Sequence, residues 1–132
     1  MLTAVPKTSV LVVEDDAALR TLYWASLTAA GYRVFAFEDG LDALRYLDGN
    51  GPPDAVVLDL ELPRVSGRDV HQELAAHSET ARIPVVVVTG SDNIADLDPK
   101  RFACILRKPI HVDALLRAIE NCLKRSDAAH LN

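Results

Sequence analysis

The chain has 132 residues, 49% of them hydrophobic and 25% charged, with a formal net charge of -5 at pH 7. This length suits one domain, expected over residues 1–132 with its core at about 9–124 and flexible ends at 1–8 and 126–132. The acidic balance offers no basic stripe for nucleic-acid phosphates, and no apolar run approaches the about 20 residues that cross a bilayer. Residues 1–8 lack a secretory apolar stretch, so a cytoplasmic address is expected, with no membrane partner. Cys104 and Cys122 then read as reduced core thiols.

Ser9-Val10-Leu11-Val12-Val13 is a buried-strand pattern that breaks into Glu14-Asp15-Asp16. Leu19, Leu22, Tyr23, Leu27 and Ala30 then recur at helical spacing, with Asp16 placed as N-cap and Gly31 as the stop. A short strand from Arg33 precedes a helix over 39–47 and a turn cluster, Asp48-Gly49-Asn50-Gly51-Pro52-Pro53. Ala55-Val56-Val57-Leu58-Asp59 is a third strand, after which Ser66 or Gly67 opens a helix with Val70, Leu74 and Ala75 inward. Ile83-Pro84-Val85-Val86-Val87-Val88, rich in β-branched residues, is a fourth strand ending at Thr89-Gly90. Asp92, Asn93, Asp96, Asp98 and Pro99 favour turns, so the fourth helix should be shortened. Ala103-Cys104-Ile105-Leu106 is a fifth strand, and the last helix is expected over 112–124. Strands alternating with helices imply an α/β fold, a doubly wound parallel sheet.

The polar residues worth attention all follow strands: Glu14, Asp15 and Asp16 the first, Asp59 the third, Thr89 the fourth, Lys108 the fifth. In a doubly wound sheet the carboxyl ends of the strands converge on one crevice. Carboxylates crowded there repel one another, and a hard divalent cation such as Mg²⁺ relieves the repulsion. A phosphoryl group could then be placed in line with Asp59, which becomes the nucleophile, with Lys108 and Thr89 on the phosphoryl oxygens.

Taken in order, Val10-Leu11-Val12-Val13-Glu14-Asp15-Asp16, Val57-Leu58-Asp59-Leu60 with Pro63 and Gly67, Val88-Thr89-Gly90 and Lys108-Pro109 resemble the receiver domain of bacterial response regulators. The resemblance implies a flavodoxin-like (βα)₅ fold of strand order 2-1-3-4-5. It also implies that Asp59 accepts a phosphoryl group from a phosphohistidine on a sensor histidine kinase or a histidine phosphotransfer protein. Asp15 and Asp59 would ligate Mg²⁺, or Mn²⁺ in its place, with Glu14 through water and the main-chain carbonyl of Glu61, while Asp16 and Pro109 support the site. Ile105 stands where the family usually has Tyr or Phe, so the aromatic report of phosphorylation should be altered. No effector domain is expected after the last helix, which would make this a stand-alone receiver that acts on an unidentified downstream protein. No steady turnover is expected, only self-phosphorylation and slow loss of the group.

The competing readings are a haloacid-dehalogenase-like phosphatase, a flavin-binding electron carrier and a pseudo-receiver that only binds. The phosphatase family puts its nucleophile on the first strand, the reverse of the order here. A flavin site needs a hydroxyl- and glycine-rich loop where Glu14-Asp15-Asp16 stands. The complete acid, Thr and Lys set weighs against the pseudo-receiver. Trp24 lies off the apolar stripe of its helix and is a candidate for contact with the donor, whereas the four histidines read as solvated or capping.

Overall fold

The computed structural model describes residues 7–90, 92 and 94–130. Five parallel strands, β1 (Ser9–Val13), β2 (Arg33–Phe37), β3 (Ala55–Leu58), β4 (Val85–Thr89) and β5 (Cys104–Arg107), lie in the order β2-β1-β3-β4-β5. The helices are α1 (Ala17–Ala29), α2 (Gly40–Asn50), α3 (Gly67–Ala76) and α4 (Val112–His130).

Side chains alternate across the sheet, which is why its strands are apolar without interruption. Val10, Val12, Ala55, Val57, Val86 and Val88 face Tyr23 and Leu27 of α1 and Leu115, Ile119 and Cys122 of α4. Leu11, Val13, Val56, Leu58, Val85 and Val87 face Ala43 of α2 and Val70 and Leu74 of α3. At about 1.5–3 kcal/mol for each large apolar side chain removed from water, these two layers dominate the folding free energy. Three helices start on side-chain caps: Asp16 accepts from the Leu19 amide at 3.0 Å, Asp39 from Asp42 at 2.9 Å and Ser66 from Asp69 at 3.1 Å.

Several boundaries differ from expectation. α2 runs through Asp48-Gly49 to Asn50, whose side-chain amide donates to the Tyr46 carbonyl at 2.9 Å. The chain turns only at Gly51, with φ 78°. α4 continues past Lys124 to His130, because residues 125–130 contain neither Gly nor Pro to stop it. Of the ends expected to be flexible, residues 1–6, 131 and 132 lie outside the described residues, and 126–130 are helical. Leu22 is 43% exposed and Ala75 is also exposed, so neither belongs to the core. His71 is not simply solvated: its ring lies 4.3 Å from that of Phe102 and is half-buried.

Between β4 and β5 the shortening is severe. Among the described residues the connection contains a single 3₁₀ turn, Pro99–Arg101, capped by Asp98. Leu97 and Phe102 pack inward beside Ile105, while Asp96 pairs with Arg68 of α3 and Asp92 with Arg107 of β5.

Candidate functional site

The strand order reverses between β1 and β3, and at such a switch point the strand ends leave a crevice. Glu14 and Asp59 stand there, each one residue past its strand and almost wholly buried. Backbone pairing fixes both: Glu14 donates to the Phe37 carbonyl and Asp59 to the Val13 carbonyl, each at 3.0 Å. Asp59 Oδ1 accepts from the Glu61 amide at 2.9 Å and Oδ2 from Lys108 Nζ at 2.8 Å. Glu14 Oε2 accepts from the Asp16 amide at 3.0 Å. Thr89, fully buried at the end of β4, accepts from the Lys108 amide at 2.9 Å through its carbonyl, which ties the fourth strand to the lysine.

Carboxylate oxygens of Glu14, Asp15 and Asp59 lie within 4.8 Å of one another. Lys108 also approaches Glu14 Oε1 at 2.7 Å, but off the line of a hydrogen bond, so this buried oxygen has no aligned donor. Burial pushes the Glu14 carboxyl up to about 7, only partly opposed by Lys108. Burial alone would lower Lys108, but Asp59 and Glu14 outweigh it and hold the ammonium protonated well above its ordinary range. Three acids and one ammonium leave an excess of negative charge around an all-oxygen set. A hard divalent cation fits that donor set.

The residues expected to act together are therefore assembled in part by direct contact. Glu14, Asp59 and Lys108 touch, and Asp15 completes the acid group. Asp16 serves as the α1 cap and holds Glu14 through its amide, so its carboxylate is not one of the clustered acids. Glu61 enters through its main chain, its side chain being exposed. Ile105 is half-buried against the α2–α3 side of the sheet, and Pro109 follows Lys108 at the edge of the site.

Other contributors escape a reading of sequence alone. Arg20 Nη1 donates to the carbonyls of Glu14 and Asp15 at 3.0 and 3.3 Å, bracing the acid-bearing turn. An Arg four residues after a cap Asp is a signal that could have revealed it. Tyr23 is buried with its hydroxyl unpartnered by protein, and burial together with Glu14 raises the phenol to about 12. A second acid group, Glu38, Asp39 and Asp42, is filled by the guanidinium of Arg64, which pairs with Asp39 and lies 3.6 Å from Asp42.

A family model described as the response regulator receiver domain matches residues 10–120. The chain belongs to this family. It is 34% identical over 124 residues to the response regulator MprA of Mycobacterium sp. (strain KMS), covering 89% of this chain and 51% of that protein. The receiver thus spans about half the length of the curated relatives it matches. Among solved structures, the signal receiver domain of a Luxo repressor protein from Vibrio parahaemolyticus superposes with TM-score 0.82 at 30% identity, over 96% of this chain and 97% of that one. The receiver domain of sensor histidine kinase PA1611 from Pseudomonas aeruginosa PAO1, solved with magnesium coordinated in its active-site cleft, gives TM-score 0.78 at 27% identity, covering 90% and 99%. The flavodoxin-like fold and strand order expected from the motifs are those of this receiver. No helix among the described residues is long and apolar enough to cross a membrane.

Proposed function

We propose that this receiver accepts a phosphoryl group on Asp59 from a phosphohistidine of a sensor histidine kinase or a histidine phosphotransfer protein, within the cytoplasm. An Asp59 carboxylate oxygen attacks phosphorus, and the phosphorus–nitrogen bond breaks with its electrons left on the imidazole. The observation that carries this reading is the clamp on Asp59, with Oδ1 on the Glu61 amide and Oδ2 on Lys108, inside a group of three acids. Glu14, Asp15, Asp59 and the Glu61 carbonyl would hold Mg²⁺, or Mn²⁺ in its place, and the bound ion would offset charge on the phosphoryl oxygens. Lys108 then pairs with a phosphoryl oxygen, and Thr89 donates its hydroxyl to another. Drawing Thr89 toward the new charge displaces the segment after β4 more than it displaces Ile105, and that displacement is what a downstream protein reads. Trp24, exposed on α1, is the surface residue assigned to the donor.

Incubation with a small phosphodonor and Mg²⁺ should add one phosphoryl group by intact mass. Both Asp59→Asn and a chelator should abolish the addition. Continuous hydrolysis of a phosphomonoester, or labelling that survives Asp59→Asn, would overturn the proposal.

A further inference from the structure

We propose that the Asp39–Arg64 ion pair is a positioning clamp for the phosphoacceptor: it holds the connection from β3 to α3 so that Glu61 meets Asp59. The inference deepens the function proposed above and rests on it for its consequence, not for its geometry.

Residues 60–66 are closed at both ends and pinned in the middle. At the base, Gly67 donates to the Leu60 carbonyl at 3.0 Å, and a Cβ on Gly67 would overlap the Asp59 carbonyl. Along the flank, a Cβ on Gly40 would come within 2.6 Å of the Val65 carbonyl, so the start of α2 is seated against this connection. Between these contacts stands Arg64. It is the non-glycine residue with positive φ, 62°, among the described residues, a conformation that Gly or Asn adopts more readily. What arginine adds over either is the guanidinium that reaches back to Asp39.

Asp39 is suited to receive it. The residue is 4% exposed, its Oδ1 caps α2 through the Asp42 amide, and its Oδ2 takes the Arg64 Nη2. The Asp42 amide and then Arg64 hold its carboxyl below the ordinary range. Without the guanidinium, Glu38, Asp39 and Asp42 would face one another uncompensated. The ion pair therefore fixes the connection to α2 three residues beyond Glu61, whose amide holds Asp59 Oδ1 and whose carbonyl is assigned to the cation. Arg64 and Asp39 touch neither substrate nor ion; they act through the Glu61 peptide.

Three substitutions separate positioning from plain stabilisation. Asp39→Asn keeps a competent helix cap while losing the charge. Arg64→Gly removes the guanidinium and relaxes the backbone. Arg64→Lys keeps the charge without the planar fork. In Mg²⁺-free protein, NMR-detected exchange of the Glu61 amide should quicken about five- to tenfold in Asp39→Asn and in Arg64→Gly, the factor that goes with one lost hydrogen bond. The Mg²⁺ concentration for half-maximal labelling by a small phosphodonor should rise by a similar factor, while the labelling rate at saturating Mg²⁺ changes less. The melting midpoint should stay within about 5 °C of the parent, the double variant should be no worse than either single, and Arg64→Lys should fall between.

Parental Glu61 exchange in both Asp39→Asn and Arg64→Gly, or effects that add in the double variant, would overturn the clamp even though Asp59 still accepts the phosphoryl group. If the parent protein itself is never labelled, the proposed function fails, and the Glu61 exchange still judges the clamp. Should Arg64→Gly fail to fold, Asp39→Asn and Arg64→Lys carry the same readouts.

Discussion

Two connections wall Asp59, and different forces hold them. Residues 60–66, between β3 and α3, are fixed by backbone contacts that only glycine permits and by an ion pair whose acid is buried. Across the site, the stretch between β4 and β5 is lashed to its neighbours at the surface. Asp96 takes both Arg68 nitrogens at 3.0 and 3.2 Å with side chains 65% and 40% exposed, and Asp92 pairs with Arg107 in the open. Buried close packing resists displacement, whereas exposed ion pairs contribute about 0–1 kcal/mol and weaken with salt. One wall is built to hold Asp59 still. The other packs Leu97 and Phe102 inward, and the rest of its hold is exposed ion pairing that yields more readily.

The sharpest way to break this contrast is Gly67→Ala. A methyl group there meets the backbone of Asp59 and Leu60, which cannot retreat as a flexible side chain could. Denaturant unfolding should register a loss of about 3 kcal/mol, and labelling of Asp59 should fall with it. A variant as stable as the parent would mean that this wall is loose.

A smaller effect is expected from Glu14, which lies between the walls with its carboxyl raised to about 7 from the ordinary 4.5. Between those values the native state binds more protons than the unfolded chain, so stability falls as pH rises through the window. From pH 5 to pH 8 in chelator, the parent should lose on the order of 2 kcal/mol more than Glu14→Gln in urea melts. Equal pH profiles would show that Glu14 is ionised at no cost.

The smallest effect belongs to the yielding wall. Arg68→Ala should cost about 0.5 kcal/mol at low salt and nothing measurable at high salt, and it should speed amide exchange over residues 94–102. A salt-independent loss above about 2 kcal/mol would erase the distinction between the walls.

The site was more legible in the sequence than the restraints around it. Glu14, Asp59 and Lys108 follow strands whose apolar runs are unmistakable, and a parallel sheet gathers strand ends whatever the spacing between them. Asp39 and Arg64 lie 25 residues apart on elements that give no sign of meeting, and the pairing of Arg68 with Asp96 spans 28. Local rules also misjudged the ends of helices. Gly49 and Asn50 favour turns, yet here they extend α2, because the Asn50 side chain binds the last turn and Gly51 supplies the reversal. The packing of His71 on Phe102 depended on a connection too irregular to place from its residues.

Trp24 is the chain's one tryptophan, and it stands 48% exposed on α1. An indole half in water is sensitive to anything that covers it, so the protein carries a native optical probe on a single helix. Association at that surface can be titrated by emission in the unlabelled chain, and events confined to the opposite layer of the sheet should leave the signal quiet.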